Sequence, residues 1–185
     1  MVSIISLWLP ILLSAVAVFV ASSVIHMILK YHNSDFKKIP AEDEVMAALR
    51  PLDIPPGEYF MPHAKDQAQM NDPAHQEKVK QGPVAFITVI PADYAIGKKL
   101  LLWFLYCIAV GIFAAYISGR ALGPGAHYMD AFRFAGAAAF GGYALALLQN
   151  SIWYHRAWSS TFKSMGDGFV FALLTAGIFG WLWPI

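Results

Sequence analysis

The sequence is short of charge. Only 14% of its 185 residues are Asp, Glu, Lys or Arg, against about 25% in a soluble domain. The shortage is concentrated in four long segments, which points to membrane spans rather than to a greasy soluble core. Cysteine is nearly absent. Cys107 alone excludes a disulfide within the chain, and its place in an apolar run makes it a small buried apolar residue. Strong net charge is missing too. At +1 there is no field to draw nucleic acid, and no basic stripe, zinc finger or RNA-binding signature occurs.

Catalytic signatures are also missing. There is no Gly-rich phosphate loop, nucleophile elbow, H-E-x-x-H or pair of intramembrane acids. The spans lack the central charge that ion- or proton-coupled transporters carry. The histidines, His26, His32, His63, His75, His127 and His155, match no metal-ligand spacing, so neither a metal nor a cofactor is expected. His26 and His32 lie six apart, about 120° apart around a helix. They can meet only if the helix ends between them.

What is present is apolar length. The first run covers 3–28, longer than the roughly 20 residues a bilayer needs. No Lys or Arg precedes Lys30, so it reads as a retained span rather than a cleaved leader. Further spans follow at about 98–119, 128–153 and 165–183. The expected organisation is a first span at 1–29, a cytoplasmic α+β module at 30–97 and three spans within 98–185. The fold class is an all-α membrane protein, a four-helix transmembrane bundle carrying that insertion. Eleven Lys and Arg lie in the 30–97 loop, its edges and the loop between the last two spans, against Arg120 and Arg133 on the other side. By the positive-inside rule both termini face outward from a plasma (inner) membrane. Trp8, Tyr116, Tyr128, Trp181 and Trp183 are expected at the outer interface. Tyr31, Tyr94, Trp103, Trp153, Tyr154 and Trp158 are expected at the inner one.

Small residues recur at spacing four, as helices held together by close backbone approach require. They are Gly111, Ala115 and Gly119 in the second span, and Ala138, Gly142 and Ala146 in the third. The fourth has Gly168, Ala172, Ala176 and Gly180. Ser164 and Asp167 precede the last apolar run as S-x-x-D, a helix-capping arrangement. Asp130 and Arg133 are placed for a local ion pair.

The insertion has signals of its own. Pro40 and the acids after it open a helix to about Arg50, and Asp72-Pro73 opens another that ends at Gly82. "EYFMPH" (58–63) suggests a short strand and "VAFITVI" (84–90) a buried one. Its charge is mixed, so it is no polybasic lipid-binding arm, and its few apolar residues imply that it leans on the bundle or a partner.

Topology brings the inner ends of the spans to one depth. His26, Lys30, Gln149, Asn150, His155, Arg156 and Asp167 form the candidate polar cluster there. Polar groups just inside the hydrocarbon are costly and often functional, although helix ends are also where such residues ordinarily sit. The segments "SSVIHMILKYHNSDF", "EDEVMAALR", "GPVAFITVIP" and "GGYALALLQNSIWYH" resemble a family of small bacterial multi-span inner-membrane proteins. The resemblance covers most of the chain and implies a bacterial setting, with no activity or ligand attached.

The expected role is a non-catalytic accessory protein. It contacts the lipid bilayer and packs against a protein partner or a second copy of itself, with no nucleic acid. Two alternatives stand beside it. One is a small oligomeric transporter or channel with its polar site at the cytoplasmic helix ends. The other is a membrane enzyme or a metal- or cofactor-binding protein that uses His26 and His155.

Overall fold

The computed structural model describes residues 1–93 and 95–185. Eight helices and two strands follow in the order α1 (Trp8–Met27), α2 (Glu42–Leu49), β1 (Gly57–Met61), α3 (Gln67–Met70), α4 (Pro73–Gln81), β2 (Ala85–Val89), α5 (Ile96–Ala121), α6 (Tyr128–Tyr143), α7 (Leu148–Tyr154) and α8 (Trp158–Trp181). The expectation for Tyr94 lies outside the described residues. The chain divides into two compact units, one of Met1–Lys37 with Ile96–Ile185 and the other of Lys38–Ala95.

In the first unit four helical stretches are long and apolar enough to cross a membrane. They pack as a closed ring: α1 on α5, α5 on α6, α6 on α8, and α8 back on α1. Only 28–39% of each apolar window is buried within the chain. The outward faces, with Leu12, Val20, Leu101, Phe113 and Leu173 exposed, therefore remain apolar. Water does not tolerate such a belt and lipid does. The serines of α1 do not interrupt it, because Ser14, Ser22 and Ser23 return their hydroxyls to carbonyls three or four residues back.

Small residues set the distances inside the ring. On α8, Gly168, Ala172, Ala176 and Gly180 all lie on the buried face. A Cβ at Gly168 would stand 2.7 Å from the Tyr143 carbonyl oxygen, and one at Gly180 the same distance from the Tyr128 ring. On α5, Gly111 approaches the backbone of Ile11, Gly119 approaches that of Val2, and Ala115 is fully buried. The third span departs from its expected register. Its buried stripe is Ala131, Ala135, Ala139 and Tyr143. Ala138 and Gly142 lie to one side, with Gly142 against Val110, and Ala146 is exposed.

The third span is also not one continuous helix. α6 ends at Tyr143, Ala144 leaves helical geometry, and a 3₁₀ turn over Leu145–Leu147 leads into α7. The break follows the Gly141-Gly142 pair, a common site of helix distortion. The Gly142 carbonyl accepts the Tyr106 hydroxyl at 2.6 Å, so the disturbed carbonyl keeps a partner.

Two of the aromatics expected at the membrane interface have hydrogen-bond partners within the chain. The Trp103 indole donates to Ser22 Oγ at 2.8 Å, and Trp183, which is buried, donates to the Gly123 carbonyl at 3.0 Å. Cys107 is fully buried. Asp130 and Arg133 pair at 3.9 Å on an exposed surface, where such a pair contributes little.

The second unit is a helix-flanked antiparallel hairpin. β1 pairs with β2 so that Tyr59 faces Ile87 and Phe60 faces Phe86. Asp66 and Asp72 cap α3 and α4 with their side chains, as short polar side chains do at helix starts. The strand expected to be buried is not: Phe86, Val84 and Ile90 are about half exposed, and no described residue of 38–95 is buried. A two-stranded ribbon has too little apolar surface to enclose a core.

Candidate functional site

The chain reverses direction just after α1, and the reversal builds the site. Lys30 takes a left-handed conformation (φ 53°), and Tyr31–Ser34 form a single 3₁₀ turn. The helix therefore ends between His26 and His32, which is the one condition under which they can meet. Their ring centroids lie 4.7 Å apart.

Opposite this turn stands Asp167. It was expected near the start of the last helix, as part of a cap. The helix instead begins at Trp158, with Ala157 as its cap and no side-chain bond there. Ser164 bonds back to the Ser160 carbonyl. Asp167 therefore sits deep in α8, its side chain only 7% exposed. A carboxylate removed from water costs several kcal/mol unless it is paired and hydrogen-bonded. Both oxygens are used here. Oδ1 accepts the Tyr31 hydroxyl, and Oδ2 lies 2.7 Å from His32 Nε2.

His32 is held at both nitrogens. Its Nδ1 lies 2.7 Å from Asp35 Oδ2, so the ring bridges two carboxylates. Both contacts are hydrogen bonds when both nitrogens carry hydrogen. Asp35 is in turn held by Lys163, whose Nζ donates to Oδ1 at 3.0 Å, to Ser34 Oγ at 2.7 Å and to the Tyr31 carbonyl at 3.0 Å. Arg156 stands 3.8 Å from Asp35 and donates to Ser164 Oγ at 3.3 Å. The cations from α8 and the α7–α8 junction are thus directed at Asp35. Asp167 has no Lys or Arg partner among the described residues.

The electrostatic consequences follow. The His32 hydrogen bond, with help from Lys163, holds the Asp35 carboxyl down at about 2 against the opposing effect of burial. Burial, then the Asp167 hydrogen bond and charge, push the Tyr31 phenol up to about 12. Asp35 is thus more acidic folded than unfolded. Its stabilisation is present above the ordinary carboxylate value, near 4, and is lost as pH falls toward 2. Thermal unfolding in detergent should show a melting temperature lower by roughly 3–6 °C at pH 2 than at pH 4 from this group. Asp35→Asn should remove that increment of the acid slope, and an unchanged slope would show that other carboxylates set it.

Of the cluster expected from sequence, the fold brings His26, Arg156 and Asp167 to one place. Lys30 makes the turn and is exposed. Gln149 is exposed, and Asn150 contributes its backbone carbonyl, which accepts the Arg156 and His155 N–H groups. His155 is the left-handed residue that ends α7 (φ 53°); the donor atoms that converge on Asp167 are those of His26 and His32. Sequence reasoning did not place Tyr31, His32, Asp35 or Lys163 in the site. The available signals were the His-x-x-Asp spacing after the first span and the lone acid of the last span, which needs a partner. The junction itself is fastened by buried Ser151, whose hydroxyl donates to Thr161 Oγ1 at 2.8 Å.

Chemically the cluster offers two imidazoles, two carboxylates and a phenol, with no activated nucleophile among them. It can lock the α1 exit to α8, and it can present nitrogen and oxygen ligands. No family model, no curated protein and no solved structure matches the chain.

Proposed function

We propose that the chain is a non-catalytic, four-span membrane protein that works by binding another protein. Both termini lie outside the plasma membrane, and the 38–95 unit is cytoplasmic, as the Lys and Arg asymmetry favours. One observation carries the binding role. No described residue of the 38–95 unit is buried, while β1 presents the rings of Tyr59 and Phe60, each 39% exposed. Stable units of this size need a core or a partner to cover such rings. The polar cluster supports the same role, since it pins residues 31–35, just ahead of the module, to α8.

The test uses the full-length protein in native-membrane nanodiscs, with a photoreactive residue at Phe60 and a control at exposed Lys65. Position 60 should cross-link to one protein species, either a distinct partner or a second copy, and position 65 should not. Phe86→Asp should remove that adduct. A monodisperse monomer with no protein adduct at position 60 overturns the proposal.

A further inference from the structure

The turn after α1 does more than fasten two helices. His26, His32 and Asp167 each offer one ligand atom, and these atoms all lie within 4.8 Å of one another. The three residues come from the last turn of α1, the 3₁₀ turn beyond it and the middle of α8. No local sequence pattern forces them together.

We propose that these three side chains bind a single divalent transition-metal ion of the zinc class. The donor set decides the class. Two imidazole nitrogens with one carboxylate oxygen suit zinc and its first-row neighbours, whereas magnesium and calcium take oxygen ligands. The geometry needs only small changes. Tetrahedral zinc holds such ligands at about 2.0–2.2 Å, which puts them about 3.3 Å from each other. The 2.7 Å gap between His32 Nε2 and Asp167 Oδ2 must therefore widen by roughly half an ångström. His26 must swing inward, which its exposed position at the helix end allows.

The surroundings are those of a prepared site. Metal-bound histidines usually hold their second nitrogen on a carboxylate, which fixes the ring. His32 does this through Asp35, itself held by Lys163. The remaining oxygen of Asp167 is fixed by Tyr31. Because Lys163 and Arg156 are directed at Asp35, Asp167 is the carboxylate left for an external cation. Three protein ligands, with His26 on the solvent side, leave a fourth position for water. The ion site uses no residue of the 38–95 unit, so loss of metal binding and loss of the cross-link at position 60 are read separately.

The test is a titration of the full-length, tag-free protein in detergent after treatment with a chelator. Cobalt(II) is added first and zinc(II) then competes. Wild type should take up one equivalent of cobalt with visible ligand-field bands, and zinc should displace it. Millimolar magnesium should not. His26→Ala should weaken binding at least tenfold without altering the helical circular dichroism, because the residue is exposed. His155→Ala should leave binding unchanged. Asp35→Asn should weaken it by about 10–100-fold, as loss of an orienting partner does. The absence of a stoichiometric cobalt spectrum, displacement by magnesium, or wild-type affinity in His26→Ala and His32→Ala would each overturn the proposal.

Discussion

Asp167→Ala is expected to cost about 3–5 kcal/mol of stability, the range found when one member of a buried pair is removed. The magnitude comes from what is left behind. His32 Nε2 and the Tyr31 hydroxyl both point at the missing carboxylate, and the place it vacates is buried, since the Asp167 side chain is only 7% exposed. Asp35 then carries the His32 ring alone. Asp167→Asn keeps the shape and one acceptor and should cost about half as much. Denaturant unfolding in a fixed detergent measures both. A double-mutant cycle with His32→Leu tests the pairing directly, because neighbours in one network are not additive. Asp167→Ala and His32→Leu should together cost well under the sum of the two. A cost below about 1 kcal/mol for Asp167→Ala would mean that the site is solvated and the latch contributes little.

The same residue shows where the sequence was legible. Hydropathy summed over some 20 residues averages out local error, so four apolar helices could be located from it. Helix starts are different, because they depend on a few residues. The apolar pattern of the last span begins near Phe169, and Ser164 with Asp167 looks like its cap. The helix runs back to Trp158 through a polar turn in which Ser160 and Thr161 are buried, and tertiary contact rather than periodicity holds that turn. Asp167 is carried inward as a result. His32 was out of reach for a related reason. Spacing six on a continuous helix separates it from His26, and only the left-handed Lys30, a position more typical of Gly or Asn, turns the chain back. The third span was ambiguous because small residues fill most of "AGAAAFGG", so spacing four fits more than one face. The two strands were legible from β-branched and aromatic runs, while their pairing and the exposure of the second were not, since local pattern does not reveal whether a covering layer exists.

The break between α6 and α7 is coupled to α8 through one glycine, and Gly168→Ala should show it. The added methyl would lie 2.7 Å from the Tyr143 carbonyl oxygen and 2.9 Å from the Ala144 Cβ, closer than packed atoms tolerate. Both neighbours are poor at yielding, one being backbone and the other a buried residue at the break itself. Overpacking of this kind costs about 1–3 kcal/mol, and more when backbone must move, so a loss of about 3 kcal/mol is expected. Gly141 is the control. It lies one turn before the same break, with nothing within 4 Å of its would-be Cβ, so Gly141→Ala should be neutral or slightly stabilising through higher helix propensity. Since α6 and α8 form the most extensive contact in the ring, displacement at Gly168 should also reach Asp167 beside it and loosen the Tyr31 and His32 contacts. Hydrogen exchange should then rise at residues 31–35 as well as at 143–148. A rise confined to 143–148 would show that the break and the polar cluster are independent features sharing one helix. Equal stability of Gly168→Ala and Gly141→Ala would show that α8 does not approach Tyr143 this closely.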